Sequence, residues 1–135
     1  MRVLVIDNNV PLQAALVRLI RTWGGQADCV DTATGAREIM ALRHYDVILL
    51  DIRLPTASGI WFLRNTAIPH DTKVVAMSSF VPRSLLRRLE SLGVCDFLLK
   101  PFEAEELMRS LEWCAARTRV SGHDSNGLQP LPVTG

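Results

Sequence analysis

An α/β domain built around a parallel sheet is the fold this sequence predicts, on three observations. Short apolar runs with nothing polar inside them recur along the chain, as strands buried on both faces do. Between them lie segments whose apolar residues repeat at helical spacing and end at Gly or Pro. Polar residues fit for chemistry follow several of the runs directly, above all Asp51, which ends Val47-Ile48-Leu49-Leu50.

The elements follow in order. Val3 to Ile6 reads as the first strand, and Pro11 suits the first turn of the helix after it. Leu12, Ala15, Leu16, Leu19 and Ile20 recur at helical spacing until Gly24-Gly25 stops them, and Ala27 to Val30 completes a βαβ unit. Ala36 to Leu42 predicts a short helix, Val47 to Leu50 a third strand, and Ile60 to Asn65 a helix opened by Gly59. Val74 to Met77 is the fourth strand. Pro82 opens a helix carrying Leu85, Leu86, Leu89 and Leu92, closed by Gly93. Phe97 to Leu99 is the last strand, and Glu103 to Arg117 the last helix, with acids in its first turn and Arg117 near its end, both matching the helix dipole. Five strands alternating with five helices specify a three-layer domain over residues 1–117. Residues 118–135 are rich in Ser, Gly, Asp, Asn and Pro without periodicity and read as a flexible tail or linker.

Composition narrows the function classes. At 135 residues and 48% apolar the chain can bury a real core. Its formal charge of +1, from 15 basic and 14 acidic residues, gives no field for nucleic acid or an anionic membrane. The first apolar run is too short for a signal peptide or a membrane span, so a soluble, cytoplasmic protein is expected. Cys29, Cys95 and Cys114 lack metal-ligand or redox-pair spacing and are expected to be packed thiols. His44, His70 and His123 show no ligand spacing. Trp61 shares an early helical turn with Ile60, Phe62 and Leu63, and not all four can face inward. It is expected to cover the adjacent loop, with a partner anchor as the alternative.

In an open parallel sheet the crevice outside the carboxyl ends of neighbouring strands is the expected binding site. Asp7 and Asn8 follow the first strand, Asp51 the third, Ser78 and Ser79 the fourth, and Lys100-Pro101 the fifth. They are expected to converge, bringing carboxylates, a hydroxyl and an ammonium into one pocket. Lys100 stands out further, because the chain's bases are overwhelmingly Arg, with Lys only at 73 and 100. A compact ammonium suits a point contact to phosphate.

This set resembles the receiver domain of two-component response regulators. The resemblance rests on Asp7 after strand one, Asp51 with Pro55 and Gly59, Ser78, Phe97, and Lys100-Pro101-Phe102, and it runs from Met1 to about Arg117. It implies the flavodoxin-like doubly wound sheet in strand order 2-1-3-4-5, with five flanking helices. It implies Asp51 as acceptor of a phosphoryl group from a histidine kinase or histidine phosphotransfer protein. The expected cofactor is Mg²⁺, held by Asp7, Asn8, Asp51 and the Arg53 backbone carbonyl. Ser78 and Lys100 would contact the phosphoryl group. Small Ser79 would leave it room, and Arg53 would influence how readily water reaches it. Such a chain is a signalling phosphoacceptor, limited as an enzyme to self-phosphorylation and slow self-dephosphorylation.

Switching would run through Ser78 and Phe97 to the face formed by the fourth helix, fifth strand and fifth helix, where a homodimer could also form. For Phe97, a core aromatic is the competing reading. Asn8 departs from the family pattern, which usually places a second acid there, so weaker Mg²⁺ binding is expected. That departure also keeps open a receiver-like interaction module not regulated by phosphorylation. A haloacid-dehalogenase-type phosphatase would need an acid where Arg53 stands. A flavodoxin-type FMN carrier would need a Ser/Thr/Gly-rich loop in place of Asp7-Asn8-Asn9-Val10-Pro11.

Overall fold

The computed structural model describes residues 1–54 and 58–121, with side chains to Arg117. Five strands, β1 (Arg2–Ile6), β2 (Gln26–Val30), β3 (Val47–Asp51), β4 (Lys73–Ser78) and β5 (Asp96–Leu99), pair in parallel in the order β2-β1-β3-β4-β5. Helices α1 (Val10–Thr22), α2 (Ala33–Met40), α3 (Gly59–Asn65), α4 (Arg83–Ser91) and α5 (Ala104–Ser121) cover both faces. Among the described residues no helix is long and apolar enough to cross a membrane.

Alternation along the strands decides which helices lie on which face. Val3, Val5, Val47, Leu49, Val75 and Met77 point to one side and pack with Leu16 and Ile20 of α1 and Leu107, Leu111 and Cys114 of α5. Leu4, Ile6, Ile48, Leu50, Val74 and Ala76 point to the other, against Ala33 and Ala36 of α2, Phe62 of α3 and Leu89 of α4. Each central strand is sealed on both faces, so its only opening is at its ends.

Local chemistry sets the helix limits. The Asn9 side chain accepts from the Leu12 N–H at 3.0 Å and opens α1, while Gly24 beyond its end takes φ +91°. α2 starts at Ala33, earlier than the apolar pattern predicts, because the Thr32 hydroxyl accepts from the Gly35 N–H at 2.9 Å and caps the helix there. The helix ends at Met40, and Leu42, expected inside it, lies beyond the end at 87% exposure. α5 continues to Ser121, past the predicted start of the tail. Residues 122–135, with His123, lie outside the described residues, as does Pro55.

At the amino-terminal end of the sheet, buried Tyr45 donates to Asp28 at 2.6 Å, and Arg43 pairs with the same carboxylate at 3.0 Å. Trp61 lies exposed on α3 with the Arg37 guanidinium of α2 over its ring, 5.8 Å from the centroid. It therefore meets a neighbouring helix, while residues 55–57 of the adjacent loop that it was expected to cover lie outside the described residues.

Candidate functional site

The sheet order places the carboxyl ends of β1, β3, β4 and β5 side by side, and with them most of the residues predicted to converge. Ile6 pairs with Leu50, so Asp7 and Asp51 extend two adjacent strands at the same level. Asp51 pairs with Met77, and Ser78 with Leu99, which bring the ends of β4 and β5 into line with them. The carboxylates of Asp7 and Asp51 lie against buried strands, while Asn8, Arg53 and Ser79 are exposed around them.

Lys100 joins the two acids. Its Nζ donates to Asp7 Oδ2 at 2.6 Å and stands 3.5 Å from Asp51 Oδ2. The Lys100-Pro101 peptide is cis, and the Lys100 N–H donates to the Ser78 carbonyl at 2.7 Å, tying the end of β5 to β4. The remaining carboxylate oxygens are oriented by backbone: Asp7 Oδ1 accepts from the Asn9 N–H at 2.8 Å, and Asp51 Oδ1 from the Arg53 N–H at 2.9 Å. Both acids are thus fixed in rotamer before anything binds.

Burial pushes the Asp51 carboxyl above its ordinary value, and the Asp7 charge adds to the shift; the Arg53 N–H and the Lys100 ammonium oppose it without cancelling it. A desolvated carboxylate is poorly hydrated and readily takes a cation or forms a bond. Among the described residues there is no cluster of three or more His, Cys, Asp or Glu side chains suited to a metal. A cation here would rest on two carboxylates with neutral oxygens around them. That all-oxygen set fits Mg²⁺, which takes one or two protein carboxylates and completes its octahedron with water and phosphate. The ammonium between the two acids shows that the pair already attracts positive charge.

The Ser78 hydroxyl is engaged in its own loop, donating to the Phe80 carbonyl at 3.1 Å and accepting from the Phe80 N–H at 3.3 Å. The Phe80 side chain is 59% exposed. Phe97 lies on the edge strand at 37% exposure, so its reading as a core aromatic does not hold. Sequence reasoning missed Gln13, whose amide in α1 donates to the Asp7 carbonyl and, at 3.5 Å, to that of Val30, bracing the strand end under the acid. Its only signal was a Gln one turn past a helix start otherwise lined with apolar residues.

Comparison with known proteins agrees with the fold. A sequence model described as the response regulator receiver domain matches residues 3–112. The sensory/regulatory protein RpfC of Xanthomonas campestris pv. campestris is 31% identical over 124 residues, covering 88% of this chain but 17% of that protein. The transcriptional regulatory protein BasR of Escherichia coli K12 is 30% identical over 135 residues, covering 98% of this chain and 58% of that protein. The chain therefore spans only part of these relatives' length. Among solved structures, the signal receiver domain of a putative Luxo repressor protein from Vibrio parahaemolyticus superposes with a TM-score of 0.80 at 23% identity, over 90% of this chain and 94% of that one. The receiver domain of sensor histidine kinase PA1611 from Pseudomonas aeruginosa PAO1 superposes with a TM-score of 0.74 at 24% identity, over 85% of this chain and 97% of that one. That structure is described with a magnesium ion coordinated in its active-site cleft.

Proposed function

This chain belongs to the response regulator receiver domain family, and we propose that within it Asp51 takes a phosphoryl group from the phosphohistidine of a histidine kinase or histidine phosphotransfer protein. A carboxylate oxygen of Asp51 attacks phosphorus as the bond from phosphorus to the histidine nitrogen breaks. The observation that carries this reading is the bridge from Lys100 to Asp7 and Asp51: a nucleophilic carboxylate at a strand end, with a second acid and an ammonium beside it. Phosphoryl transfer needs little more than positioning and stabilisation of charge spread over the phosphoryl oxygens.

Asp7, Asn8, Asp51 and the Arg53 carbonyl would hold Mg²⁺. When bound, the ion supplies positive charge to the phosphoryl oxygens. Lys100 is already in the pocket and transfers its contact from Asp51 to a phosphoryl oxygen. Ser78 exchanges its hydrogen bond to the Phe80 carbonyl for one to the same group, which releases the Phe80 loop. The half-exposed Phe97 ring on β5 is the neighbouring aromatic that responds, and the face of α4, β5 and α5 carries the change to a partner or a second copy. Exposed Ser79 leaves the phosphoryl group room, and exposed Arg53 governs access of water to it. The reading makes the chain a cytoplasmic signalling phosphoacceptor with no turnover beyond loading and slowly losing its own phosphoryl group.

Asn8 favours a second reading, an interaction module that works without phosphate, because the site has one acid fewer than two-acid receivers. Incubation with a small phosphodonor and Mg²⁺, followed by intact mass, separates the two. A phosphoryl adduct in the wild type and none in Asp51→Asn is expected. Absence of the adduct, together with no response to beryllofluoride in tryptophan fluorescence, would replace the first reading by the second.

A further inference from the structure

The three cysteines do not share one fate. Cys29 is exposed on β2, at one edge of the sheet, while Cys95 directly precedes β5 at the other edge. Four strand spacings put these edges about 19 Å apart, so Cys29 and Cys95 are out of each other's reach. Cys95 and Cys114, far apart in sequence, meet between β5 and α5: Cys95 packs against the buried cluster that contains Cys114, and the two thiols interact side chain to side chain.

The contact is held from three sides. The Cys95 N–H donates to the Val74 carbonyl at 2.7 Å, which anchors the residue to β4. The Ser110 hydroxyl of α5 donates to Asp96 Oδ2 at 2.7 Å, which sets Cys114, one helical turn onward, on the side of the segment that holds Cys95. Leu107, Leu111 and Cys114 form the stripe by which α5 packs on the sheet, and Cys95 packs against that cluster. Hydrogen bonding and packing thus hold the two residues in one register.

We propose that Cys95 and Cys114 form a redox modification site at which a peroxide produces a disulfide clamping α5 to the start of β5. Cys95 is the half-exposed member and the attacking one. Its thiolate attacks one peroxide oxygen, the O–O bond breaks, and sulfenic acid and water result after one proton transfer. The Cys114 sulfur then attacks the Cys95 sulfur, the S–O bond breaks, and hydroxide leaves as a second water with the Cys114 proton. Two thiols lose two electrons and two protons, and hydrogen peroxide becomes two waters. The interaction with Cys114 lowers the Cys95 thiol's pKa, and Lys73 and Arg117 add to it against the cost of burial, so the partly exposed sulfur is also the more acidic one. The site stands independently of any chemistry at Asp51.

The test uses the full chain carrying Cys29→Ser, which removes the exposed thiol that would link two copies. After hydrogen peroxide treatment the intact monomer is expected to lose two hydrogens in mass. Peptide mapping should join the Cys95 and Cys114 peptides, and dithiothreitol should reverse the change. Closing a loop of about 20 residues is expected to raise Tm by roughly 10 °C. With Cys114→Ser added, Cys95 should instead gain oxygen and be trapped by dimedone; with Cys95→Ser added, fully buried Cys114 should stay unmodified. A treated parent that keeps both thiols, stops at oxygen addition, or melts lower when oxidised would overturn the proposal.

Discussion

Gly59→Ala tests whether the end of β3 is held in place by the start of α3. A Cβ at this position would lie 2.8 Å from Ile52 Cα, 2.9 Å from the Asp51 carbonyl oxygen and 3.1 Å from Ile52 Cδ1. The first two are backbone atoms, which cannot rotate away. Restoring ordinary contact requires α3 and the Asp51-Ile52 segment to separate by about half an ångström, a small-to-large change at a packed contact. The Gly59 N–H also donates to the Ile52 carbonyl at 2.9 Å, and that bond stretches with the same displacement. Overpacking of this kind costs about 1–3 kcal/mol, less a few tenths for the better helix propensity of Ala. In a domain of this size Tm falls by about 5–10 °C. Thermal unfolding followed by circular dichroism measures it, and a beryllofluoride titration with Mg²⁺ should show weaker binding, because the displaced segment carries Asp51. Gly24→Ala is the control: its φ of +91° strains any side chain, but a Cβ there meets nothing within 4 Å and the site is remote. Its Tm should fall with ligand affinity intact. A Gly59→Ala protein melting at or above the wild type would refute the contact argument.

Three further outcomes follow from charge and burial. Because burial raises the Asp51 carboxyl, the folded state holds its proton to higher pH than the unfolded chain, and stability declines from the ordinary value of 3.8 up to the folded one. Metal-free Asp51→Asn should therefore melt higher than wild type at pH 7, with the gap closing below 3.8; equal Tm at pH 7 would show the burial cost to be absent. Asp28 has the opposite sign, lowered first by the Tyr45 hydroxyl and also by Arg43, so its contribution is present above 3.8 and lost as pH falls through its folded value. Tyr45→Phe should cost about 1.5–3 kcal/mol in urea unfolding at pH 7 and progressively less below pH 3.8, and a pH-independent penalty would assign the loss to packing. Asn8→Asp should bind Mg²⁺ more tightly than wild type in a metal titration, and equal affinities would remove Asn8 from the account of the site.

How much of this was legible in the sequence depends on whether a signal lies within one segment or between segments. Val47 to Leu50 announces a strand sealed on both faces because every residue in it is apolar, and Asp51 is conspicuous only against that run. Lys100 is conspicuous for a similar reason, as a Lys in an Arg-using chain. The start of α2 was misplaced because apolar spacing ignores the Thr32 hydroxyl, which satisfies an orphan N–H before the apolar stripe begins. Gln13 was missed because its partner carbonyls belong to β1 and β2 and no local pattern aims it there. The thiol pair was missed for the same reason: redox-pair spacing is a rule for neighbours in sequence, whereas Ser110 and Asp96 bring Cys95 and Cys114 together through tertiary register.

The Lys100 bridge bears directly on what Asn8 does. Two carboxylates and one ammonium leave the pocket with a single formal negative charge, most of it desolvated against β1 and β3. A second acid at position 8 would double that charge at the exposed rim, where solvent softens its repulsion of Asp51 but not its attraction for a divalent ion entering from outside. Asn8 keeps an oxygen at that position without the charge. On the proposed function the consequence would fall on the cation more than on Asp51, which owes its raised carboxyl first to burial, and a substitution at the rim does not alter that. On the proposed function, metal affinity and phosphoryl acceptance would be separable in this site: position 8 would tune the first, while the Lys100 bridge and the Arg53 N–H hold the carboxylate that would carry the second.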